Sequence, residues 1–193
     1  VGGLCVITGP SGVGKGTLLA RVRQHLDGVA FPVSATTRKP RPGEIHGVHY
    51  YFLSEEEFVA RRERGEFVEW ARYGNHLYGT LVDEIQRPLE QGLSVVLEIE
   101  LKGSRQIRAR FPEARGIFIA PPDREELARR LAKRGTESEQ AVARRLEHAE
   151  EEMAASGEFD CVIVNDDLER AAEELRQALE EALSLREGVR QAL

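Results

Sequence analysis

The sequence predicts an α/β protein built on a mostly parallel sheet. Four short apolar runs, Leu4–Thr8, Val95–Glu98, Gly116–Ala120 and Cys161–Val164, are separated by stretches of helical periodicity, and this alternation is the signature of strands joined by crossover helices. Two further segments break the alternation and read as insertions. Residues 32–80 hold most of the aromatic side chains and alternate like antiparallel strands, whereas residues 121–157 are nearly all helical and rich in arginine.

Each element has a local reason. The run Leu4–Thr8 is apolar up to its closing Thr8, as a strand buried on both faces should be, and Gly14–Leu26 follows it with helical spacing. Ser54-Glu55-Glu56-Glu57 is a capping box, and so is Asp123-Arg124-Glu125-Glu126; each predicts a helix start. A further helical stretch begins near Glu84, with Pro88 in an awkward interior position. The tail places Leu168, Ala171, Ala172, Leu175, Leu179 and Leu183 on one stripe, which predicts an amphipathic scaffold helix.

Composition narrows the function classes. The chain has 193 residues, enough for one domain with a mobile sub-domain, and 41% of them are hydrophobic. A net charge of −6 argues against a general nucleic-acid binder. No strictly apolar run exceeds four residues, so no membrane span is expected, and Val1-Gly2-Gly3-Leu4 opens without the basic and apolar regions of a secretory leader. Cys5 and Cys161 sit in apolar runs and read as buried free thiols, consistent with a reducing, cytoplasmic setting. His46 and His49 have no further ligands near them in the chain, so a zinc site is not expected. Of 27 basic residues only Lys15, Lys39, Lys102 and Lys133 are lysine; the rest are arginine, which suits bidentate contacts to phosphate or carboxylate.

The most specific motif is Gly9-Pro10-Ser11-Gly12-Val13-Gly14-Lys15-Gly16-Thr17, after a strand and before a helix. That context makes it a P-loop, whose glycines let backbone N–H groups point at phosphates while the helix N-terminus adds positive potential. Lys15 is placed to reach the β- and γ-phosphates. Gly16 stands where Ser or Thr usually gives a hydroxyl to Mg²⁺; Thr17 supplies one a residue later.

Downstream lies Ser34-Ala35-Thr36-Thr37-Arg38-Lys39-Pro40-Arg41-Pro42-Gly43-Glu44, in which Arg38 and Arg41 can clamp one phosphate with Tyr50 donating a third bond. Phe67-Val68-Glu69-Trp70 puts a carboxylate inside an apolar run, where an unpaired charge is costly, and Tyr78 and Thr80 add a phenol and a hydroxyl. In Val95-Val96-Leu97-Glu98-Ile99-Glu100, the strand period of two predicts Glu98 and Glu100 on one face, at the sheet's carboxyl edge, suited to holding Mg²⁺ through water. Arg130 and Arg134 lie at i, i+4 on one helix face, Arg145 follows the 136–139 turn, and Asn165 ends a strand; Arg129 and Arg144 read as surface partners of glutamates.

With these pieces together, the chain resembles the guanylate kinases along essentially its whole length. The resemblance is carried by GPSGVGKGT, SATTRKPRPGEIHGVHYYF, the stretch from GEFVEW to YGT, RGTESEQAVARRL and VIVND. It implies a P-loop kinase with a core of about 1–31, 81–120 and 158–193, a GMP-binding insertion of about 32–80 and a helical lid of about 121–157. The implied reaction is transfer of the γ-phosphoryl of ATP to GMP with Mg²⁺ as cofactor; no nucleic-acid or membrane partner is expected from the composition, and no protein partner can be read from the sequence. On this resemblance, Arg38, Arg41, Tyr50 and Tyr78 match the holders of the GMP phosphate, and Ser34, Glu69 and Thr80 face guanine with Glu100 nearby. Glu44 positions the arginine loop, Asn165 lies near adenine, and Arg130, Arg134 and Arg145 act from the lid on the transferring phosphoryl. Asp is more usual in the family at Glu100, and Gln at Lys102. Two rival readings stay open on the residues: another nucleoside monophosphate kinase, which would replace the Glu69/Ser34 pair, and a non-catalytic scaffold domain, which would typically have a degraded P-loop.

Overall fold

A computed structural model describes residues 2–132 and 139–184. In chain order its elements are β1 (Leu4–Thr8), α1 (Lys15–Val22), β2 (Val29–Ala30), β3 (Ala35–Thr36), β4 (Tyr51–Phe52), α2 (Glu55–Glu63), β5 (Phe67–Tyr73), β6 (His76–Leu81), α3 (Val82–Glu90), β7 (Ser94–Glu98), α4 (Leu101–Arg110), β8 (Arg115–Ala120), α5 (Arg124–Ala132), α6 (Glu139–Ala154), β9 (Cys161–Val164) and α7 (Leu168–Ser184). None of the described helices is long and apolar enough to cross a membrane.

The main sheet has the order β2-β7-β1-β8-β9, and every pairing in it is parallel. β1 lies in the middle and is buried along its length because helices cover both faces. Cys5 and Ile7 point into a core completed by Leu18 of α1 and Leu175 and Leu179 of α7. Leu4 and Val6 point the other way, toward Ile85 of α3 and Ile107 of α4. The expected stripe of α7 is therefore the face that covers the sheet. Cys161 is only partly buried, unlike Cys5, because β9 is the edge strand and lacks a neighbour on one side.

The insertion forms a second sheet, β4-β3-β6-β5. β3 pairs antiparallel with β6, and β6 with β5, as the alternation predicts, but β4 runs parallel to β3 because the loop 37–50 carries the chain back before it pairs. This sheet has a core of its own, in which the rings of Phe58 and Phe67 stack at 4.3 Å between centroids. The pairing of β5 with β6 slips by one residue between Phe67 and Glu69, a bulge that leaves Phe67, Val68 and Glu69 all buried. Gln106 of α4 brackets the edge of β5, its Nε2 donating to Trp70 O at 2.7 Å and its Oε1 accepting from Trp70 N at 3.1 Å.

Both capping boxes are used: Ser54 Oγ accepts from Glu57 N, and Asp123 Oδ1 from Glu126 N. α1 ends at Val22 and tightens into a 3₁₀ turn over Arg23–His25, and α3 continues two residues past Pro88. One expectation fails. β7 stops at Glu98, and Glu100 is the residue that starts α4, so the two carboxylates are not period-two neighbours on one strand.

Candidate active site

The carboxyl ends of the parallel strands point their loops into one cleft, as this topology requires. The loop after β1 wraps around Gly12 and Gly14, both at positive φ (86° and 99°), which frees the start of α1 to face a phosphate. The Lys15 ammonium folds back on this loop, donating to Gly9 O at 2.5 Å and Pro10 O at 3.3 Å. Asn165 Nδ2 donates to Val13 O at 2.7 Å. Arg130, reaching from α5, donates to the same carbonyl at 3.1 Å and to Asn165 O at 2.9 Å, with its Nε on Glu126. The structure thus places Asn165 and Arg130 against the backbone of the glycine loop, where together they hold its shape.

Opposite the loop, the cleft has a volume of about 420 Å³, and its wall includes Lys15, Ser34, Tyr50, Glu69, Tyr78, Glu98 and Glu100. The expected partners therefore do meet: the start of α4 brings Glu100 to the same cavity as Glu98. Glu69 is 4% exposed, and its Oε1 accepts from Thr80 Oγ1 at 2.6 Å, the two residues being direct partners across β5 and β6. Burial pushes the Glu69 carboxyl up to about 7, against the Thr80 hydrogen bonds that favour its charged form. Glu98 is likewise raised by burial.

At the insertion side, Arg38 grips Glu44 with both guanidinium nitrogens (2.9 and 2.8 Å), and Glu44 also accepts from Arg41 N at 2.6 Å. The Arg38 hydrogen bonds hold the Glu44 carboxyl down at about 2. The Arg38 guanidinium lies 5.4 Å from the Tyr50 ring centroid, and the Tyr50 ring meets that of Tyr78 edge-on at 6.2 Å. Arg41 itself is exposed and contributes its backbone, not its guanidinium, to the Glu44 contact. Arg145 lies half-buried on α6, with its charge near Tyr73. Arg129 pairs with Glu126 as expected of a surface residue. Arg134 and the side chain of Arg144 lie outside the described residues.

The family model described as guanylate kinase matches residues 2–182. The chain is 54% identical to a guanylate kinase of Thermosynechococcus vestitus over 178 residues, covering 92% of this chain and 93% of that one. It is 53% identical to a guanylate kinase of Rubrobacter xylanophilus over 174 residues, covering 90% and 91%. Its fold is similar to the crystal structure of guanylate kinase from Anaplasma phagocytophilum, with a TM-score of 0.77 at 32% identity over 95% of this chain and 87% of that one. The chain belongs to the guanylate kinase family.

Within this guanylate kinase fold, four residues at or beside the cleft carried no signal in the sequence. Tyr73 lines the cleft from the end of β5, with the Ser11 side chain of the glycine loop nearby. Glu152, on α6, lies near the Glu100 carboxyl and Ser11; burial first and the Glu100 charge second hold it well above the carboxylate range. Glu84 of α3 ties the insertion to the core, accepting from Val33 N at 2.9 Å and from the Tyr51 hydroxyl at 2.8 Å. Gly103, in the first turn of α4, lies against Glu69. Only the bracketing of Glu69 by an apolar run hinted at any of these contacts.

A divalent cation fits this donor set in one way. Among the described residues no group of three His, Cys, Asp or Glu side chains converges as a metal cage. Glu98, however, faces the start of α1: a methyl group on Gly16 would lie 3.7 Å from both of its carboxylate oxygens. A carboxylate lining the cleft beside a phosphate-binding loop suits a hydrated Mg²⁺ that reaches the protein mainly through water and phosphate oxygens.

Proposed function

We infer that the chain transfers the γ-phosphoryl group of ATP to a phosphate oxygen of GMP, giving ADP and GDP. The observation that carries this reading is a single cleft that opens on a glycine loop with Lys15 at one side and on a buried, hydroxyl-braced carboxylate, Glu69, at the other. Guanine presents two adjacent donors, N1–H and the 2-amino group, beside the acceptor O6. The ionised Glu69, braced by the Thr80 hydroxyl, can accept from both donors while Ser34 donates to O6; adenine has an acceptor where guanine has N1–H and would be repelled.

On this reading the residues divide the work as follows. Arg38, Arg41, Tyr50 and Tyr78 hold the GMP phosphate, with Glu44 keeping Arg38 and the Arg41 backbone in register. Residues Gly9 to Thr17 cradle the ATP phosphates, Asn165 and Arg130 brace that cradle from behind, and Lys15 turns from its own loop carbonyls to the β- and γ-phosphates when they arrive. Arg134 and Arg145 add positive charge from the lid. The division into core (about 1–31, 81–120 and 158–193), insertion (about 32–80) and lid (about 121–157) gives each substrate its own body. Closing these bodies aligns the reacting oxygen with the γ-phosphorus and excludes water that would otherwise consume ATP.

No general base is needed, because the GMP phosphate is already a competent nucleophile near neutral pH; catalysis is positioning and charge neutralisation. Glu98 and Glu100 would hold Mg²⁺ through water, and the ion would supply neutralising charge on the ATP phosphates. A coupled assay of ATP consumption with GMP, AMP, UMP and dTMP tests the reading: activity with GMP alone is expected, and preference for any other monophosphate overturns it.

A further inference from the structure

We infer that Gly103 determines base specificity as a positioning residue: the side chain it lacks is the space in which the Glu69 carboxylate sits. This rests on the reading of Glu69 as the acceptor of the guanine N–H groups. A Cβ built on Gly103 would lie 2.3 Å from Glu69 Oε2 and 3.0 Å from its Cδ. The backbone itself does not ask for glycine, since Gly103 is helical and has no positive φ. Glycine is also among the poorest residues for a helix, so its presence in the first turn of α4 calls for a local cause. The carboxylate supplies that cause.

Gly103, like Gly12, Gly14 and Gly116, is crowded by a side chain and not by backbone. A Cβ on Gly2, Gly9 or Gly79 would strike backbone, at Leu93 O, Ile119 O and Glu69 O respectively. At Gly103 all three of the nearest atoms belong to the Glu69 side chain. A methyl group there is therefore relieved by moving the carboxyl, not the fold. Yet that carboxyl is 4% exposed and its Oε1 is fixed on Thr80, so the direction left to it is outward, into the cleft. An outward shift removes the Thr80 hydrogen bond and occupies the space that the base edge needs.

The test is Gly103→Ala, read by KM and kcat for GMP and for inosine monophosphate, which lacks the 2-amino group, together with KM for ATP and the melting temperature. A rise of roughly tenfold or more in KM for GMP is expected, from the loss of well-placed hydrogen bonds to a base edge, with a much smaller change in kcat. The preference for GMP over IMP collapses, the KM for ATP is unmoved and melting stays close to wild type. Shortening the acid in the same chain, with Glu69→Asp added to Gly103→Ala, restores room and recovers part of the preference. A Gly103→Ala protein that keeps the wild-type GMP/IMP preference overturns the inference. So does a drop in melting temperature that persists when Gly103→Ala is made in a Glu69→Ala background, because it shows a packing role independent of the carboxylate. If Glu69→Gln alone leaves the preference unchanged, the underlying reading of Glu69 is what has failed.

Discussion

The Thr80 hydroxyl donates to Glu69 Oε1 at 2.6 Å, and the two residues face each other directly across antiparallel strands. They do so only because β5 bulges at Val68. Without the extra residue, the alternation that starts at Phe67 would turn Glu69 away from Thr80 and from the cleft. After the bulge, Glu69, Ala71 and Tyr73 all line the cleft while Trp70 and Arg72 face outward.

This pair makes base recognition depend on pH. Glu69 is pushed up to about 7, so the ligand-free protein carries it partly protonated near neutrality. A group raised in this way favours the fold fully below its unfolded value, and that contribution is lost as pH rises through about 7. Accepting from guanine needs the ionised form, so GMP affinity should weaken as pH falls below about 7. Glu69→Gln should lose about 1–3 kcal/mol of GMP recognition, roughly fivefold to 150-fold in kcat/KM. Calorimetric titration of GMP across pH checks both points. The GMP phosphate titrates equally in the two proteins, and a wild-type profile parallel to that of Glu69→Gln would contradict the assignment.

Lys15→Ala should leave the melting temperature within a few degrees of wild type and lower kcat by several orders of magnitude. Among the described residues its hydrogen bonds are to carbonyls of its own loop, with the Glu98 and Glu152 charges nearby, whereas during transfer it neutralises developing phosphate charge. Single-turnover kinetics with ATP and GMP measure this, and an unchanged rate would sink the role given to the glycine loop.

Gly16→Ser tests the metal assignment. The 3.7 Å separation from Glu98 leaves room for the new side chain, whose hydroxyl would then stand among the metal's water ligands. Half-maximal activity should come at a lower Mg²⁺ concentration than in wild type, and Glu98→Gln should move it the other way. Magnesium titrations that coincide for all three proteins would remove Glu98 from the metal's surroundings.

Asn165→Ala should raise KM for ATP about twofold to tenfold, the value of one hydrogen bond, while KM for GMP stays put. The variant deprives Val13 O of one of its two side-chain donors, Arg130 being the other. Asn165→Asp should be worse, because a carboxylate would face a carbonyl oxygen. Equal effects on both substrates would show that Asn165 supports the whole sheet edge and not the ATP loop.

What the sequence determined by itself is the part whose physics is local. The glycine loop, the capping boxes at Ser54 and Asp123, the buried run of β1 and the stripe of α7 each arise from neighbouring residues, and each stands where the pattern put it. Glu69 was legible as a costly charge in an apolar run, but its partner was not. The tertiary structure alone decided that a one-residue bulge would turn Glu69 onto Thr80, and that Glu100 would join Glu98 from the start of a helix and not along a strand. It alone brought Glu152 to Glu100 and Asn165 to Val13, and left Gly103 bare beside a carboxylate. The contacts of Gly103 with Glu69, of Glu152 with Glu100 and of Asn165 with Val13 join residues 34 to 152 positions apart, at separations set by how sheets and helices pack. Periodicity reports which face of an element is buried; only packing reports what lies against it.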